Sequence, residues 1–339
     1  MTTIDSVLVT GGAGFIGSHL CQALLQQGRR VVLLDNFNDF YSPAIKQANL
    51  AAIRQTAATA AGALVVHKGD IRSADDVARA LRSLGAGSRA AVVHLAAMAG
   101  VRPSIADPLL YHDVNVAGTL QLLRGCREQG ISRLAFASSS SVYGNNQKVP
   151  FAESDPVDQP ISPYAASKRA GELICYNEHH LYGLSVACLR FFTVYGPRQR
   201  PDLAIHKFAA LLAAGRPLPF FGDGSTRRDY TYISDTLQGI LGALSWLEAA
   251  DSPRFDIFNL GESCTVTLSR LVELLAAELG VSPHLQRLPA QPGDVDCTFA
   301  EISKARQVLG YNPRVAIEEG LPRFVEWFRQ QGCSPEKSP

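Results

Sequence analysis

The sequence lacks the features of a secreted, metal-bound or membrane-spanning protein. Its seven cysteines are scattered without a Cys-x-x-Cys pair, and an odd count spaced in this way argues against a disulfide framework and against a zinc site. No apolar run reaches the roughly 20 residues that span a bilayer. The first predicted strand begins at residue 6, so we expect no signal peptide. These features predict a reducing compartment, the cytoplasm, with no metal site and no membrane association.

An excess of charge of one sign is also missing. The formal net charge of the 339 residues is +1, so there is no bulk electrostatic attraction to nucleic acid or to an anionic membrane. Apolar residues make up 46% of the chain and charged residues 19%, which is typical of a soluble globular enzyme. Because the chain exceeds the length at which one core usually divides, we expect two lobes.

Short apolar runs alternate with amphipathic stretches through residues 1–192. The runs are rich in Val, Leu, Ile and Ala with little alternation, as in strands that are buried on both faces of a parallel sheet. We predict strands at 6–10, 30–34, 64–67, 91–95, 134–138 and 185–190. We predict helices at 15–27, 43–60, 74–84, 108–129 and 164–181. This alternation predicts an α/β fold with a Rossmann-like doubly wound parallel sheet.

The character of the chain changes after Phe192. Prolines and short elements dominate residues 197–229, and helices are predicted again at 235–247, 268–279 and 317–330. We interpret residues 193–332 as a smaller mixed α/β lobe at the C-terminus. A predicted strand at 255–260 makes residues 232–260 a candidate return to the large sheet. The polar tail, residues 333–339, is expected to fray.

A glycine-rich turn follows the first predicted strand and opens the first helix. In GGAGFIG, residues 11–17, Gly11 can make the tight turn, Gly14 leaves room for a pyrophosphate, and Gly17 lets the helix pack closely on the sheet. The helix N-terminus offers free N–H groups to phosphates. Asp35 ends the second strand about 20 residues on, where a carboxylate binds both ribose hydroxyls and repels a 2′-phosphate. This context predicts an NAD site rather than a solvent-facing glycine turn.

Two further strand ends belong to the same edge of the predicted sheet. Asp70 and Ile71 follow the third strand and could grip the adenine edge, although an Asp there fits a helix N-cap or a turn equally well. Ala96 and Ala97 follow the fourth strand, where small residues would let a cofactor lie close to the backbone.

Tyr164 and Lys168 are one helical turn apart. At i and i+4 their side chains share a helix face, with Cβ atoms roughly 5–6 Å apart. A free Tyr, with a pKa of about 10, is a poor base near neutrality. A nearby ammonium and a positively charged nicotinamide would lower that pKa, so that Tyr164 could act as general base toward a sugar hydroxyl. Ser139 ends the fifth strand, where its hydroxyl could bridge a substrate oxygen and Tyr164.

These polar residues also have simpler interpretations. A Tyr-x-x-x-Lys pair arises on ordinary amphipathic helices, and Ser140 and Ser141 could merely fill a turn. The cofactor signal upstream and the serine at the strand end favour the catalytic interpretation of Tyr164 and Lys168.

At these residues the chain resembles the extended short-chain dehydrogenase/reductase superfamily of NAD-dependent epimerases and dehydratases. The motifs TGGAGFIG, YAASK and RRDYTYISD carry the resemblance, which runs from Gly11 to about Ala305. It implies an NAD-binding domain at residues 1–192, a nucleotide-sugar lobe at 193–332, tightly held NAD and a homodimer pairing the two helices 108–129 and 164–181. The implied catalytic group is Ser139, Tyr164 and Lys168. The predicted cofactor residues are Gly11, Gly14, Phe15, Ile16, Gly17, Asp35, Asn36, Asn38, Asp70, Ile71, Ala96, Ala97, Tyr164 and Lys168.

A finer resemblance is to UDP-glucuronate 4-epimerases. It is carried by the sequences DNFND, AGVR, SSSSVYG, RFFTVYGP and RPD, at residues 35–39, 99–102, 138–144, 190–197 and 200–202. In that family the hydroxyls at the positions of Ser140, Ser141 and Thr193 hold the sugar carboxylate. The position of Arg200 faces the nucleotide-sugar, although the sequence RQR at 198–200 differs from the family's more usual pattern with Trp.

The resemblance implies a set of contacts with a UDP-sugar. Arg228 and Asp294 match residues that bind the pyrophosphate and the uridine ribose, and Phe220 or Phe221 would flank the uracil. The predicted substrate residues are Arg102, Ser140, Ser141, Thr193, Arg200, Phe220, Phe221, Arg228 and Asp294.

The predicted reaction is NAD-dependent C4 epimerisation of UDP-glucuronate to UDP-galacturonate through a 4-keto intermediate. Related dehydratases carry an Asp-Glu pair at the positions of Ser140 and Ser141, and related decarboxylases carry Glu at Ser141, so neither reaction is favoured. UDP-glucose and UDP-N-acetylhexosamines stay open as substrates. A non-catalytic NAD-binding regulatory protein is the alternative from another class, and the intact Ser, Tyr and Lys disfavour it.

Overall fold

Buried strands rich in Val, Leu and Ala form the centre of the protein. The computed structural model describes residues 4–85, 89–249, 251–289 and 295–332. The strands are β1 (Ser6–Thr10), β2 (Arg30–Asp35), β3 (Leu64–Lys68), β4 (Ala90–His94), β5 (Arg133–Ser139), β6 (Ser185–Phe191), β7 (Thr193–Tyr195), β8 (Leu218–Phe221), β9 (Arg227–Tyr232), β10 (Phe255–Leu260), β11 (Thr265–Thr267) and β12 (Leu285–Leu288).

Helices connect these strands. They are α1 (Phe15–Gln26), α2 (Pro43–Ala57), α3 (Ala74–Arg82), α4 (Val101–Ala106), α5 (Pro108–His112), α6 (Gly118–Glu128), α7 (Pro163–Tyr182), α8 (Ala204–Ala213), α9 (Ile233–Glu248), α10 (Leu268–Leu279), α11 (Ser303–Leu309) and α12 (Ile317–Gln330). A 3-10 turn follows β5 at Ser140–Tyr143.

The large sheet is parallel throughout and has seven strands in the order β3-β2-β1-β4-β5-β6-β10. Side chains alternate between its two covered faces, since Val7 and Val9 pack in one hydrophobic cluster and Leu8 in the other. The predicted doubly wound α/β fold is therefore confirmed. This strand order places the carboxyl ends of β1 and β4 at a topological switch point, where such folds bind ligands.

Each of the six strands predicted in the first 192 residues is present. The predicted strand at 255–260 is β10, and it pairs with β6 at the edge of the large sheet. The large sheet is thus completed by a strand that comes after β7, β8 and β9 in the sequence. The boundaries at residues 192 and 332 stay predictions.

A smaller lobe follows β6. It contains a three-stranded sheet, β11-β9-β7, and a two-stranded sheet, β12-β8. The three-stranded sheet is mixed, because β7 is parallel to β9 and β11 is antiparallel to it. Helices α8, α10 and α12 cover a separate apolar core. Helix α8 was not predicted in the proline-rich stretch 197–229, where its alanines and leucines bury one face against this core.

The predicted single helix at 108–129 is wrong in one respect. The helical run is interrupted by a π-helical turn at Asp113–Ala117, between α5 and α6. The wider turn directs the buried Asn115 side chain inward, where it bonds to the Met98 backbone N and O at 2.8 and 2.9 Å and to Ser167 Oγ at 2.9 Å. Such turns recur at functional sites. A helix-period pattern cannot distinguish this turn from regular α-helix, because the side chains on either side keep the same apolar face.

Within the ranges that the structure describes, no helix combines the length and apolar composition needed to cross a membrane.

Candidate active site

A cavity of about 450 Å³ lies at the carboxyl ends of the central strands. Its volume is in the range typical of small-ligand sites. The wall is formed by the glycine turn, the ends of β2, β4 and β5, the start of α7 and the segment after β6. All of the predicted cofactor and catalytic residues line it: Gly11, Gly14, Phe15, Ile16, Gly17, Asp35, Asn36, Asn38, Asp70, Ile71, Ala96, Ala97, Ser139, Tyr164 and Lys168.

The glycine turn needs its glycines. Gly11 has φ +69°, and a Cβ there would lie 2.8 Å from the Ala96 backbone N. A Cβ at Gly17 would lie 2.3 Å from the Gly11 carbonyl O, closer than any real contact. Helix α1 begins at Phe15 without a side-chain cap, so its first N–H groups remain available to an anion. This cradle fits the pyrophosphate of a dinucleotide.

Asp35 ends β2 beside that turn. Its carboxylate is almost buried and accepts hydrogen bonds from Ala13 N at 3.1 Å and Phe37 N at 2.8 Å. Burial raises the pKa of Asp35, while these two bonds and the Lys46 ammonium oppose that rise. Two carboxylate oxygens offer about four acceptor sites. The remaining ones can take the hydroxyls of an adenosine ribose, so the residues present fit NAD.

Asp70 has a structural role that the sequence left open. Its carboxylate accepts from the backbone N and the guanidinium of Arg72 at 2.8–3.0 Å. The hydrogen bonds from Arg72 lower the pKa of Asp70 to about 2, although partial burial opposes this. The Asn36 amide also donates to Asp70, at 3.1 Å. Asp70 is thus a turn residue as well as a wall residue, and its contact with adenine stays a prediction.

Ser139, Tyr164 and Lys168 are brought together where β5 meets α7. The Ser139 hydroxyl lies beside the Tyr164 phenol, where it opposes the rise of the Tyr164 pKa, and it donates to Ser141 Oγ at 3.0 Å. Lys168 Nζ donates to the Ala137 carbonyl O at 2.8 Å and lies 5.9 Å from the centroid of the Tyr164 ring. Ser139 also accepts from Ser141 N at 3.1 Å, which fixes its rotamer at the end of β5. The arrangement is that of a general base with a hydroxyl relay on one side and a buried cation on the other.

In the chain without cofactor, Lys168 by itself does not lower the pKa of Tyr164, and the expected effect of a nicotinamide stays a prediction. Burial raises the pKa of Tyr164, and the groups that oppose the rise are the Ser139 hydroxyl and the Arg200 guanidinium. Burial also lowers the pKa of Lys168 to about 8. Desolvation therefore has a larger effect on the pKa of Tyr164 than the ammonium charge has, because Lys168 is hydrogen-bonded to a carbonyl and not to the phenol.

Four of the predicted substrate residues line the same cavity: Ser140, Ser141, Thr193 and Arg200. Arg200 makes a two-point ion pair with Asp202, at 2.9 and 2.7 Å, and its guanidinium lies 5.6 Å from the centroid of the Phe40 ring. The ion pair and the ring fix the planar guanidinium at the wall.

Of the other predicted substrate residues, the four that the structure describes do not line the cavity: Arg102, Phe220, Phe221 and Arg228. Arg102 lies over the Phe221 ring at 5.4 Å, and Arg228 Nη1 donates to the Arg227 carbonyl at 2.9 Å. Phe220 is 2% exposed in the core of the smaller lobe, so of the two phenylalanines only the half-buried Phe221 can meet a ligand. Asp294 lies outside the described residues.

Sequence reasoning missed several residues of the wall. Phe40, Tyr41 and Lys46 follow the DNFND stretch and close the cavity beside Asp35. Lys46 is 5% exposed, and its Nζ donates to the Asn38 backbone O at 3.0 Å and side-chain Oδ1 at 2.5 Å. No local pattern marks a lysine on an amphipathic helix as buried, because only the packing of α2 on the sheet removes it from water.

Gly17→Val is expected to abolish NAD retention. The new side chain would start 2.3 Å from the Gly11 carbonyl, so the turn must open and its N–H groups must leave the phosphate position. We expect wild-type protein to release about one NAD per chain on denaturation, because the family resemblance implies tightly held NAD, and we expect the variant to release almost none. Gln26→Val, on the exposed side of the same helix, is the control and should keep its NAD. A variant that retains NAD would remove the turn from the cofactor site.

The comparisons with known proteins agree with this geometry. The protein family described as GDP-mannose 4,6 dehydratase matches residues 8–324. UDP-glucuronate 4-epimerase 3 of Arabidopsis thaliana is 42% identical over 337 residues, with 95% of this chain and 76% of that protein covered. UDP-glucuronate 4-epimerase of Thermodesulfobacterium geofontis is 38% identical over 324 residues, with 95% and 96% covered.

Solved structures are similar over nearly the whole chain. UDP-glucuronic acid 4-epimerase from Bacillus cereus, in complex with UDP-glucuronic acid and NAD, has a TM-score of 0.85 and 34% identity, covering 96% of this chain and 99% of that one. UDP-N-acetylglucosamine 4-epimerase from Methanobrevibacter ruminantium, in complex with UDP-N-acetylmuramic acid, has a TM-score of 0.84 and 32% identity, covering 98% and 100%.

Proposed function

The chain belongs to the extended short-chain dehydrogenase/reductase superfamily of epimerases and dehydratases, and from this premise we propose that it interconverts UDP-glucuronate and UDP-galacturonate. It is an NAD-dependent isomerase that acts on a nucleotide-sugar at C4. What we propose beyond this is the identity of the substrate, namely that its nucleotide is UDP and its sugar is a uronate.

The residues of the catalytic group have defined tasks in this proposal. NAD, held by the residues that line the cavity, would supply the hydride acceptor and donor that inversion at C4 requires. Tyr164 takes the proton of the C4 hydroxyl and gives it back, and Ser139, which lines the cavity beside the phenol, orients that hydroxyl by a hydrogen bond. Lys168, fixed by the Ala137 carbonyl, supplies a buried positive charge beside the phenolate. The predicted cofactor residues line the rest of the cavity and hold the dinucleotide.

The observation that carries the choice of a uronate is the hydroxyl-rich wall beside Tyr164. Ser140, Ser141 and Thr193 are half-buried and line the cavity together with Ser139. Hydroxyl groups donate hydrogen bonds to a carboxylate, and bonds to a charged acceptor are stronger than bonds to a neutral one. No carboxylate of the chain stands at positions 140 and 141 to repel the acid group. The wall therefore suits glucuronate better than glucose.

Product analysis tests this proposal. Purified protein without added NAD is incubated with UDP-glucuronate, UDP-glucose or UDP-N-acetylglucosamine, and the sugars are identified by NMR. We expect UDP-galacturonate from the first at the highest kcat/KM. Thr193→Val, which replaces the hydroxyl by a methyl group, should raise KM for UDP-glucuronate about tenfold and leave UDP-glucose unaffected. A preference for a neutral sugar, or an equal effect of Thr193→Val on both, would contradict the uronate assignment.

The alternative within the same class is an epimerase of a neutral UDP-sugar. The observation in its favour is the similarity to the Methanobrevibacter ruminantium enzyme, which is named a UDP-N-acetylglucosamine 4-epimerase. The three sugar incubations separate the two.

We also propose that the enzyme is a homodimer paired through α5, α6 and α7. These helices contact one another and expose an apolar face that includes Leu109 (81% exposed), Leu173 (51%), Tyr176 (50%) and Leu181 (64%). Exposed patches of this kind mark association surfaces. Light scattering should give twice the chain mass for the wild type and one chain mass for Leu173→Asp. Val308→Asp, on α11, is the control and should stay dimeric. A monomeric wild type would contradict the pairing.

A further inference from the structure

The loop at residues 196–203 is fastened to the cofactor helix at two consecutive residues. His19 Nε2 lies 2.9 Å from the Pro197 carbonyl, and because a carbonyl only accepts, this nitrogen carries the proton. Arg198 Nη1 donates to Gln22 Oε1 at 2.7 Å and to Ser18 Oγ at 3.3 Å. These three partners lie on α1, directly after the glycine turn. One side of the loop is thereby joined to the helix whose N-terminus faces the cavity.

Two unfavourable contributions to the free energy oppose this placement of Arg198: its backbone conformation and the burial of its charge. Its φ is +66°, in the left-handed region that residues other than glycine rarely adopt. Its guanidinium is half-buried, which lowers the pKa of Arg198, and over the described part of the chain no carboxylate forms an ion pair with it. Burial and the Arg198 charge also lower the pKa of His19 to about 4, so His19 is neutral near pH 7. A strained backbone and an unneutralised cation persist only where surrounding contacts enforce them.

The far side of the loop is held as well. His206 Nδ1 donates to the Gln199 carbonyl at 2.6 Å, and the buried Gln199 amide donates to the Val194 carbonyl at 3.2 Å. Between these attachments and Asp202 lies Arg200, whose side chain lines the cavity. Arg198 itself does not line the cavity. Its contacts determine where the backbone presents Arg200.

We infer that Arg198 is a positioning residue, which fastens the loop to α1 and so places the Arg200 guanidinium against the nucleotide-sugar. The inference rests on the proposed function, because it is the contact between Arg200 and the substrate that gives the attachment a kinetic effect. The cofactor helix and the substrate loop then move as one unit. Weakening the attachment affects substrate binding and leaves the glycine turn intact.

A double-mutant cycle between Arg198 and Arg200 tests this inference. Arg198→Leu removes both hydrogen bonds, and we expect it to raise KM for UDP-glucuronate about tenfold with the bound NAD per chain unchanged. In Arg200→Ala the group to be positioned is absent, so adding Arg198→Leu should raise KM no further. Multiplicative effects on KM would overturn the inference, because they would show that Arg198 does not act through Arg200.

Three further variants sharpen the result. Arg198→Gly relieves the backbone strain but also removes the side chain, so we expect it to raise KM as much as Arg198→Leu; a wild-type KM would show that Arg198 matters only as a turn residue. Gln22→Leu removes the acceptor instead of the donor and should give the same change, which keeps the test open if Arg198→Leu does not fold. Arg270→Leu, an exposed arginine on α10, is the control and should leave KM unchanged.

The proposed function and the positioning role of Arg198 are distinguished by these measurements. If the wild type epimerises UDP-glucuronate and the cycle is multiplicative, only the positioning role falls. If the wild type epimerises no UDP-sugar, the proposed function falls, and the same cycle is then measured on the affinity for UDP-glucuronate by calorimetry. Additive losses of affinity there would overturn the positioning role, and non-additive losses would support it.

Discussion

Replacing Tyr164 by Phe is expected to lower kcat for epimerisation about a thousandfold, the effect of removing a positioned general base. The phenol lines the cavity beside Ser139, and no other side chain of the catalytic group can take the C4 hydroxyl proton. Lys168 stays protonated up to a pH of about 8 and is bound to the Ala137 carbonyl. NAD content and the unfolding midpoint should stay at wild-type values, since the ring itself remains.

Tyr111→Phe is the matched control for this variant. The Tyr111 ring lies edge-on to Tyr164 at 6.3 Å, and its hydroxyl donates to the Ala99 carbonyl at 2.8 Å, away from the reacting group. The Tyr111→Phe substitution removes a phenolic hydroxyl close to the same site. We expect kcat to change only severalfold, because one hydrogen bond is lost. A Tyr164→Phe enzyme as active as Tyr111→Phe would show that another group is the base.

The pH dependence follows from the same site. The base must be deprotonated to act, and burial raises the pKa of Tyr164, so its active fraction grows as the pH rises. We expect kcat/KM to increase with pH through neutrality in the wild type. The residual activity of Tyr164→Phe should lack that increase.

Arg190→Met is expected to lower the free energy of unfolding by about 3 kcal/mol, the low end of the usual cost of breaking a buried ion pair. The low end applies because Arg169 Nη1 still donates to the Glu172 carboxylate, at 3.0 Å. Arg190 is 1% exposed and binds Glu172 on α7 through Nε and Nη2 at 2.8 and 2.9 Å. The same carboxylate accepts from Ser138 Oγ at 2.6 Å, next to the catalytic serine. Urea unfolding measures the loss. Arg190→Met with Glu172→Leu should recover part of the loss, because the double variant no longer buries a carboxylate that has lost two of its hydrogen bonds.

The size of this loss should depend on pH. Burial would raise the pKa of Glu172, but the hydrogen bonds and charge of Arg190 keep it below its usual value. A lowered carboxyl pKa stabilises the folded state above the unfolded pKa, and that contribution is lost as the pH falls through the folded pKa. Without Arg190 only Ser138 and Arg169 oppose burial, so the pKa of Glu172 rises. The free energy of unfolding of the variant should therefore differ more from that of the wild type at pH 7.5 than at pH 4.5, with both values measured in urea. An equal difference at both values would show that the charge of Glu172 is not involved.

The sequence by itself determined the elements whose signal is local. The strands of the large sheet are continuous apolar runs, the turn at residues 11–17 must be glycine-rich because a Cβ at Gly17 meets the Gly11 carbonyl, and Tyr164 and Lys168 share a face because helical spacing requires it. Each of these features depends on neighbours within one or two turns of chain. The predicted NAD site and catalytic group were therefore within reach of sequence reasoning.

Only the tertiary structure decided what depends on distant parts of the chain. The π-helical turn at Asp113–Ala117, the burial of Phe220 and the attachment of Arg198 to α1 each arise from packing against residues far away in sequence. The sign of the Tyr164 pKa shift is of the same kind. The Tyr-x-x-x-Lys spacing reveals the cation, but desolvation depends on how much protein surrounds the phenol, and that is a property of the whole fold.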